Sequence, residues 1–545
     1  MTQLITGSFP LTGHQLIEAS AGTGKTYTIT NLYLRLILGH NEDVQLRRPP
    51  LAPSQILVLT FTIAATDELR HRIRQRLVLA RQIFAGEAEV TKDDDAFLNY
   101  LYSSSADKPR DRKLLTAALQ MMDEASIFTI HSFCSRMLTE HSFETGTLFN
   151  QDLEGDKDRL MQMAAEDCFR SQILTLAAAD RNIALGRWKS PASLLQEMKP
   201  YLARHNLTIT PRFLDVSALL TVLTDDNKRA KQMWLDDDIE QRIIDCSYSK
   251  TKMSKKRFAA IRDYCHSERL VPSAWIHWSQ ANFQSAVAKA TTPLEHEIFE
   301  LIERIYQRAY VVEQIEYNLW HTLFNAMRDN LMLYKRQLSQ LTLDDLLASV
   351  HEVLQGDNGT PLATRLSGNW PVAMIDEFQD TDDLQYGIFS AIYPNSDDIG
   401  LFFIGDPKQA IYQFRGADIY TYINAKRQVT TTSNSTIQSL STNWRSTQAM
   451  VQAVNHLFGA ADIFGNDQDI PFERAEAAAH NLTKSFNIAG EPQTPFSITV
   501  ADDADGKKDD ITLAAMEDAA ETTAELLNLA QRGDALVNGK PLQAG

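Results

Sequence analysis

Cysteine is scarce in this chain, and no export signal or membrane segment is visible. The four cysteines form no Cys-x-x-Cys pair, so we expect no disulfide framework, zinc site or iron–sulfur cluster; they are Cys134, Cys168, Cys246 and Cys265. The first residues lack the basic segment and apolar segment of a signal peptide. No run reaches the roughly 18 apolar residues of a membrane span. We therefore expect a soluble protein of the reducing cytoplasm.

Positive charge is also in deficit: 53 Lys and Arg residues face 70 Asp and Glu residues, and the formal net charge is −17. Proteins that bind nucleic acid are usually basic, so the average charge alone argues against such a partner. A basic cleft can nevertheless lie on an acidic protein, so the decision rests on the motifs. With 44% hydrophobic and 23% charged residues, the composition is that of a globular protein.

The order of apolar runs along the 545 residues predicts a discontinuous α/β fold. Near the N-terminus, short apolar runs such as residues 55–61 alternate with amphipathic stretches, which indicates a parallel sheet. Between about 150 and 345 strand-like runs are scarce and five of the seven tryptophans occur, which indicates an inserted helical domain. Strand-like runs return at Val372–Ile375 and Leu401–Ile404. The expected domains are residues 1–149 and 346–440 for the α/β domain, 150–345 for the insert, and 441–545 for the start of another domain.

Residues 19–26 predict a phosphate-binding loop. They read Ala-Ser-Ala-Gly-Thr-Gly-Lys-Thr, the pattern GxxxxGK(S/T) with alanine in the first position. Gly22 and Gly24 let backbone N–H groups curl around phosphate oxygens at the start of a helix. Lys25 brings a positive charge to the β- and γ-phosphates, and Thr26 offers a hydroxyl ligand to Mg²⁺. The expected nucleotide-binding residues are Ala19, Ser20, Ala21, Gly22, Thr23, Gly24, Lys25 and Thr26.

Two acidic residues at the end of a predicted strand supply the second half of such a site. The apolar run Val372–Ile375 leads directly into Asp376 and Glu377, and ligands of open α/β sheets bind at the carboxyl ends of strands. We predict that Asp376 holds Mg²⁺ and that Glu377 orients and deprotonates the attacking water. Together with the loop, this pair predicts a nucleoside triphosphatase.

Further motifs indicate which nucleoside triphosphatase this is. The motif segments are residues 60–65, 129–134, 376–381, 404–418 and 443–446. In order and composition they resemble the superfamily-one DNA helicases of the UvrD/Rep type, over about residues 16–447. Residues 9–11, 17–26 and 416–422 resemble the RecB-type branch of that family in particular, with the AddA-type branch as the nearest competitor.

The resemblance implies a RecA-like P-loop motor domain with a parallel sheet, a large inserted all-helical domain (1B), and the start of a second RecA-like motor domain (2A). It implies ATP and Mg²⁺ as cofactors, and 3′ to 5′ movement on single-stranded DNA. For the RecB type it also implies action on double-strand DNA ends in recombinational repair, with RecC- and RecD-like subunits in a heterotrimer. A stand-alone UvrD-type repair helicase, an AddA-type subunit and a regulatory module with a degenerate motor are the alternatives.

The resemblance also assigns roles to single residues. Gln409 is expected to sense the γ-phosphate, and Arg445 to reach it from the second motor domain, where charge-assisted contacts stabilise the transferring phosphoryl group. A structural salt bridge is the alternative for Arg445. The residues expected to stack on DNA bases or to contact the DNA backbone are Phe61, Thr62, His131, Tyr412, Phe414 and Arg415. For Tyr412 and His131 a purely structural role is the alternative.

Some expected features are not found. The family's adenine-reading glutamine has only Gln3 and Gln15 as candidates, and neither is well placed. The later helicase motifs and an Asp…Asp-Tyr-Lys nuclease signature do not follow residue 446, so we expect the chain to be the N-terminal part of a larger protein.

Arginines 70, 72, 74 and 76 are expected on a solvated helix face, whereas the basic residues of 250–257 are expected to contact duplex DNA.

Overall fold

The structure is a computed structural model. It describes residues 7–41, 47–91, 95–141, 157–202, 207, 209–210, 214–246, 253–287, 294–338, 342–357, 359–412, 417–432, 434–459, 464, 468–498 and 508–543. The chain divides into two compact units, one made of Met1–Thr147 with Leu346–Gly545 and the other of Leu148–Asp345.

The first part of the chain alternates strands and helices. Its elements are β1 (Gly13–Ala19), α1 (Lys25–Leu38), β2 (Ile56–Thr60), α2 (Ile63–Ala85), α3 (Ala96–Ser104), α4 (Lys108–Gln120), β3 (Ile127–Thr129) and α5 (Ile130–Glu140). Side-chain caps and glycines define the helix ends: the Thr62 hydroxyl accepts from the Ala65 N–H at the start of α2, and Gly86 ends α2 with φ 74°.

The second unit is helical, and no extended strand occurs among its described residues. Its helices are α6 (Lys157–Cys168), α7 (Ala178–Arg187), α8 (Pro191–Leu202), α9 (Ser217–Asp236), α10 (Ile239–Ile244), α11 (Lys255–Cys265), α12 (Gln280–Ala286), α13 (Glu297–Gln307) and α14 (Tyr310–Gln337). Four of the five tryptophans of this region are buried in its core, and Trp320 is half-buried. Trp234 packs against Trp278 with ring centroids 4.8 Å apart, and Trp188 is fully buried in a second cluster. Burial of these large side chains supplies much of the hydrophobic stabilisation of the unit.

The chain then returns to strand and helix alternation. The elements are α15 (Leu343–Gln355), α16 (Gly359–Asn369), β4 (Val372–Ile375), α17 (Asp383–Ile392), β5 (Gly400–Gly405), α18 (Ile419–Thr431) and β6 (Thr436–Leu440). The six strands β1–β6 form one sheet in the order β3-β2-β4-β5-β1-β6, and every pairing in it is parallel. The prediction of an α/β fold with a parallel sheet is therefore confirmed.

The register of this sheet positions the predicted site. Strand β5 lies between β1 and β4, and Glu18 near the end of β1 is opposite Gly405 at the end of β5. The loop after β1, the acidic pair after β4 and the segment after β5 consequently lie at the same carboxyl edge, where ligands of open α/β sheets bind. Helix α1, which follows the loop, is buried along Thr28–Leu38 and holds that edge in place.

Beyond residue 440 the described strands have only two or three residues each, and they are accompanied by one short and one long helix. These elements are β7 (Thr442–Asn443), α19 (Gln448–Leu457), β8 (Glu476–Ala477), β9 (Phe486–Ile488), β10 (Glu491–Pro492), α20 (Lys508–Arg532), β11 (Ala535–Val537) and β12 (Lys540–Pro541). The assignment of 150–345 as domain 1B and of 441–545 as the start of domain 2A stays a prediction. Among the described residues, no helix is both long enough and apolar enough to cross a membrane.

Candidate nucleotide and DNA site

The loop between β1 and α1 has the backbone geometry of a phosphate cradle. Gly22 and Gly24 take φ values of 78° and 98°, which lie in the left-handed region that favours glycine. Thr23 is buried, and its hydroxyl donates to the Ser20 carbonyl at 2.7 Å, which closes the turn. Ala19 is the last residue of β1, so the first position of the motif requires a small side chain and no positive φ.

The segment after β7 contacts this loop directly. The backbone N–H of Trp444 donates to the Gly22 carbonyl at 2.7 Å, and the Asn443 side-chain amide donates to the Ala21 carbonyl at 3.1 Å. A side chain at Gly22 would meet Arg445 Cβ at 3.0 Å. Arg445 is exposed, and no ion pair joins it to another of the described residues. The structure therefore brings Arg445 next to the predicted phosphate-binding loop.

Asp376 is a buried carboxylic acid at the end of β4. Its backbone N–H donates to the Leu59 carbonyl of the neighbouring strand at 2.9 Å, which fixes its position at the sheet edge. Burial, and secondarily the negative charge of Glu377, raises the pKa of Asp376 from 3.8 to about 6. A desolvated carboxylate of this kind is stabilised by a bound cation.

Glu377 adopts a strained backbone conformation, with φ 52° and ψ 43°. Such left-handed non-glycine residues cost on the order of 1–3 kcal/mol and are concentrated at functional sites. Its carboxylate Oε2 lies 2.5 Å from Lys25 Nζ, and the lysine side chain is only 14% exposed. The structure thus joins the lysine of the loop to the second residue of the acidic pair, across 352 positions of sequence.

The buried side-chain amide of Gln379 extends the contact between Lys25 and Glu377. The sequence alone assigned no role to this residue. Gln379 donates from Nε2 to Glu377 Oε2 at 2.9 Å, and its Oε1 accepts the backbone N–H of Asp406 at 2.9 Å. Asp406 Oδ2 in turn accepts from Gln409 Nε2 at 2.7 Å. The predicted γ-phosphate sensor is therefore hydrogen-bonded to the same network as Lys25 and Glu377.

Among the described residues predicted to contact DNA, Phe61 and Tyr412 are half-buried and Thr62 is exposed. The rings of Phe61 and Tyr412 stack on each other with centroids 5.9 Å apart and an interplanar angle of 21°. A base inserted between them would require roughly 7 Å, twice the spacing of stacked bases, so the pair would have to separate. Their neighbours Ile63 and Ile411 are 73% and 71% exposed and were not predicted from the sequence.

Thr62 and His131 each lie two residues beyond the end of a strand, and the two strands are neighbours in the sheet. Thr62 follows β2 and caps α2, while His131 is in the first turn of α5, directly after β3. Thr62 is exposed and His131 is half-buried. The remaining two predicted DNA contacts, Phe414 and Arg415, lie outside the described residues.

A cavity of about 240 Å³ opens beside Thr26. Tyr27, which is 41% exposed, lines it together with residues from one face of α2. These are Arg72, Gln75, Arg76 and Leu79, and Thr30 of α1 completes the lining. This cavity could not be predicted from the sequence, because it depends on the packing of α1 against α2.

The two candidates for an adenine-reading glutamine are Gln15 and Gln3. Gln15 is fully buried, and its amide donates to the Thr12 and Asn434 carbonyls at 2.7 and 3.1 Å, so its position is structural. Gln3 lies outside the described residues.

The expectation of a solvated face is wrong for Arg76, which forms an ion pair with Asp95 and lies over the Tyr27 ring at 4.9 Å. Burial of this pair among Tyr27 and Phe97 is the reason.

The second basic cluster is only partly described. Lys255 and Lys256 are exposed at the start of α11, whereas Lys250 and Lys252 lie outside the described residues. Exposed lysines are expected both on a solvated helix face and at a DNA contact, so contact of this cluster with duplex DNA stays a prediction.

The residues available for a metal ion suit Mg²⁺ bound together with a nucleotide. No group of three or more His, Cys, Asp or Glu side chains that could enclose a metal occurs in the described part of the chain. Mg²⁺ in nucleotide sites needs only one or two protein oxygens, because phosphates and water supply the other ligands. The Thr26 hydroxyl and the buried Asp376 carboxylate are oxygen donors of this type.

The sequence is similar to proteins of known function. The family model described as the UvrD/REP helicase N-terminal domain matches residues 3–430. The RecBCD enzyme subunit RecB of Escherichia coli (strain K12) is 34% identical, over 98% of this chain and 46% of that protein. The RecB subunit of Haemophilus influenzae is 31% identical, over 91% of this chain and 44% of that protein. The chain spans about half the length of the curated relatives it matches.

Proposed function

Because the chain belongs to the UvrD/REP helicase family, we propose that it carries the ATP-driven motor of a RecB-like DNA helicase. The contact between Lys25 and Glu377, at 2.5 Å, is the observation that supports this most directly. It brings a phosphate-binding lysine and a candidate general base together at the carboxyl edge of a parallel sheet. That is the arrangement phosphoryl transfer to water requires.

In the proposed reaction Lys25 exchanges its partner. As ATP binds, the lysine ammonium turns from Glu377 to the β- and γ-phosphate oxygens, and the carboxylate is released to accept a proton from the attacking water. Thr26 and Asp376 would hold Mg²⁺, which would neutralise phosphate charge when bound. Arg445 and Gln409 contact the γ-phosphate from the two other segments that adjoin the loop.

Tyr27 and the cavity beside Thr26 are the proposed site of the nucleotide base. The cavity opens next to the residue that is proposed to bind the metal, and Tyr27 offers an exposed aromatic surface on which a base can stack. This assignment replaces the upstream glutamine, because Gln15 is engaged in structural hydrogen bonds.

Phe61 and Tyr412 form the proposed platform for single-stranded DNA, with Thr62, His131, Phe414 and Arg415 as further contacts. The exposed Ile63 and Ile411 beside the aromatic pair support a surface that receives apolar base faces. The relatives are subunits of RecBCD enzymes, which supports a RecBCD-type assembly. RecC- and RecD-like subunits are part of the proposal. The 3′ to 5′ polarity, the action on double-strand ends in repair and the cytoplasmic location are part of the same proposal.

ATP turnover by the intact protein tests the assignment. Lys25→Ala and Glu377→Gln should each reduce turnover stimulated by single-stranded DNA by roughly 100-fold or more, because one removes phosphate binding and the other proton abstraction. Lys113→Ala, at an exposed lysine of α4, is the matched control and should retain full activity. Full turnover in Lys25→Ala or Glu377→Gln would refute the proposal, and ATP binding without turnover in the unaltered protein would favour a regulatory module.

A further inference from the structure

Gln379 links two motifs through both ends of one side chain. The residue is only 2% exposed, its Nε2 donates to Glu377 Oε2, and its Oε1 accepts from the Asp406 N–H. Both distances are 2.9 Å, which is normal for a good hydrogen bond. An uncharged amide carries a donor NH₂ and an acceptor oxygen on one group, so it can donate to a carboxylate and accept from a backbone N–H at the same time.

The surroundings hold this amide in a single orientation. A side chain at Gly405 would place Cβ 2.5 Å from Gln379 Oε1, so β5 approaches the amide as closely as glycine permits. The neighbouring Phe378 is fully buried and packs on Phe403, with ring centroids 4.3 Å apart. The short turn Phe378–Asp380 is therefore anchored to β5, and Gln379 has little freedom to rotate.

Glu377 Oε2 receives both the Lys25 ammonium and the Gln379 amide. When Lys25 turns to the phosphates, as the proposed function requires, Gln379 becomes the donor that continues to hold the carboxylate. The other end of the same amide is attached to Asp406, whose carboxylate holds Gln409 at 2.7 Å and Lys408 Nζ at 2.8 Å. Any displacement of Glu377 is therefore passed to the segment that ends near Tyr412.

We propose that Gln379 is a positioning residue that holds Glu377 for catalysis and couples it to the Asp406–Gln409 segment. The inference rests on the proposed function and adds to it the residue through which the nucleotide side and the DNA side communicate. Gln379 itself does not contact the reacting atoms. Its loss consequently changes the rate of turnover and the response to DNA, while ATP binding is retained.

The test compares Gln379→Leu with Gln385→Leu in the intact protein. Gln385 is a second buried glutamine of the same unit, 4% exposed, and its side-chain oxygen has no hydrogen-bond partner among the described residues. Gln379→Leu should lower kcat in the presence of single-stranded DNA by about 10- to 100-fold, the cost of a misplaced catalytic group. KM for ATP should change less than about twofold, and the ratio of stimulated to unstimulated turnover should fall. Gln385→Leu should change none of the three.

A second variant covers the case in which Gln379→Leu does not fold. Gln379→Glu keeps the size of the side chain but replaces the donor by a third carboxylate beside Glu377 and Asp406, and it should show the same loss of kcat and coupling. A normal stimulation ratio in either folded variant would overturn the positioning role. If Lys25→Ala and Glu377→Gln are inactive while the Gln379 variants are normal, this inference alone fails; if those two variants are active, the proposed function fails.

Discussion

The proposed nucleotide side and the proposed DNA side of the sheet edge, called below the nucleotide side and the DNA side, differ in how their side chains are held. On the nucleotide side, Lys25, Glu377, Gln379 and Asp406 are joined by hydrogen bonds, and Gln379 and Asp406 are each only 2% exposed. On the DNA side, Phe61 and Tyr412 contact each other in a stacked pair beside exposed isoleucines.

The difference corresponds to the chemistry proposed for each side. Phosphoryl transfer depends on groups held in place before the reaction, because electrostatic stabilisation is lost when the groups must reorganise. Single-stranded DNA has to be bound and released at every step, and stacking on aromatic faces accepts any base. Rigid polar contacts on one side and open aromatic faces on the other are therefore what a translocating motor requires.

The largest effect on stability is expected at Glu18, on the nucleotide side. Its carboxylate accepts from the Tyr422 hydroxyl at 2.9 Å and pairs with Lys426 at 2.8 Å, and the carboxylate and lysine side chains are 13% and 20% exposed. Glu18→Ala leaves a largely buried lysine without its counter-ion, and this should cost about 3 kcal/mol of unfolding free energy. Urea unfolding measures the change; a cost below about 1 kcal/mol would show that the pair behaves as a surface contact.

A pH-dependent effect of about 2–3 kcal/mol is expected at Asp376. Because burial raises its pKa from 3.8 to about 6, the folded state favours the protonated acid. The stabilising contribution is therefore fully present below about pH 3.8 and is lost as the pH rises through about 6. Asp376→Asn should be more stable than the unaltered protein at pH 7.5 and equally stable near pH 3.8, in denaturant unfolding without metal or nucleotide. The same difference at both pH values would contradict this account.

On the DNA side the expected effect is on binding. Phe61→Ala and Tyr412→Ala should each weaken single-stranded DNA binding by about 1–3 kcal/mol, the usual contribution of one stacked base. ATP turnover without DNA should be unchanged, because the proposal assigns both rings to DNA binding and neither to the binding or hydrolysis of the nucleotide. Tyr102→Ala, at a half-buried tyrosine of α3, is the control for loss of an aromatic ring. Fluorescence anisotropy with a labelled oligonucleotide measures the affinity, and equal affinities for all variants would remove the proposed platform.

The smallest effect is expected at Arg72 on α2. Its partner Glu68 lies four residues away at 2.7 Å, and both side chains are more than half exposed. Exposed pairs of this kind contribute little, so Arg72→Ala should change the unfolding free energy by less than about 0.5 kcal/mol. Single-stranded DNA affinity should also be unchanged, and an affinity loss comparable to that of Phe61→Ala would place α2 in the DNA site.

Local sequence patterns were sufficient to predict the parallel sheet. They also predict the phosphate-binding loop at 19–26 and the acidic pair at 376–377. A continuous apolar run such as residues 372–375 can only be a buried strand or a helix segment, and its length and flanking residues favour the strand. The contacts of Gln379 and Glu18 could not be predicted in this way, because their partners are 27 and 404 positions away. The spacing of the arginines along α2 predicted a solvated face for Arg76. This spacing could not show that Tyr27 and Asp95, from other parts of the chain, pack against its side chain.

The most direct test of the central claim is the rate of ATP hydrolysis by the intact protein as single-stranded DNA is added. If the polar network and the aromatic surface belong to one motor, turnover should rise at least about tenfold and reach a plateau, because bound DNA completes the arrangement of catalytic groups. The Phe61→Ala variant should need more DNA to reach the same plateau. Turnover that is independent of DNA over the whole titration would contradict the account.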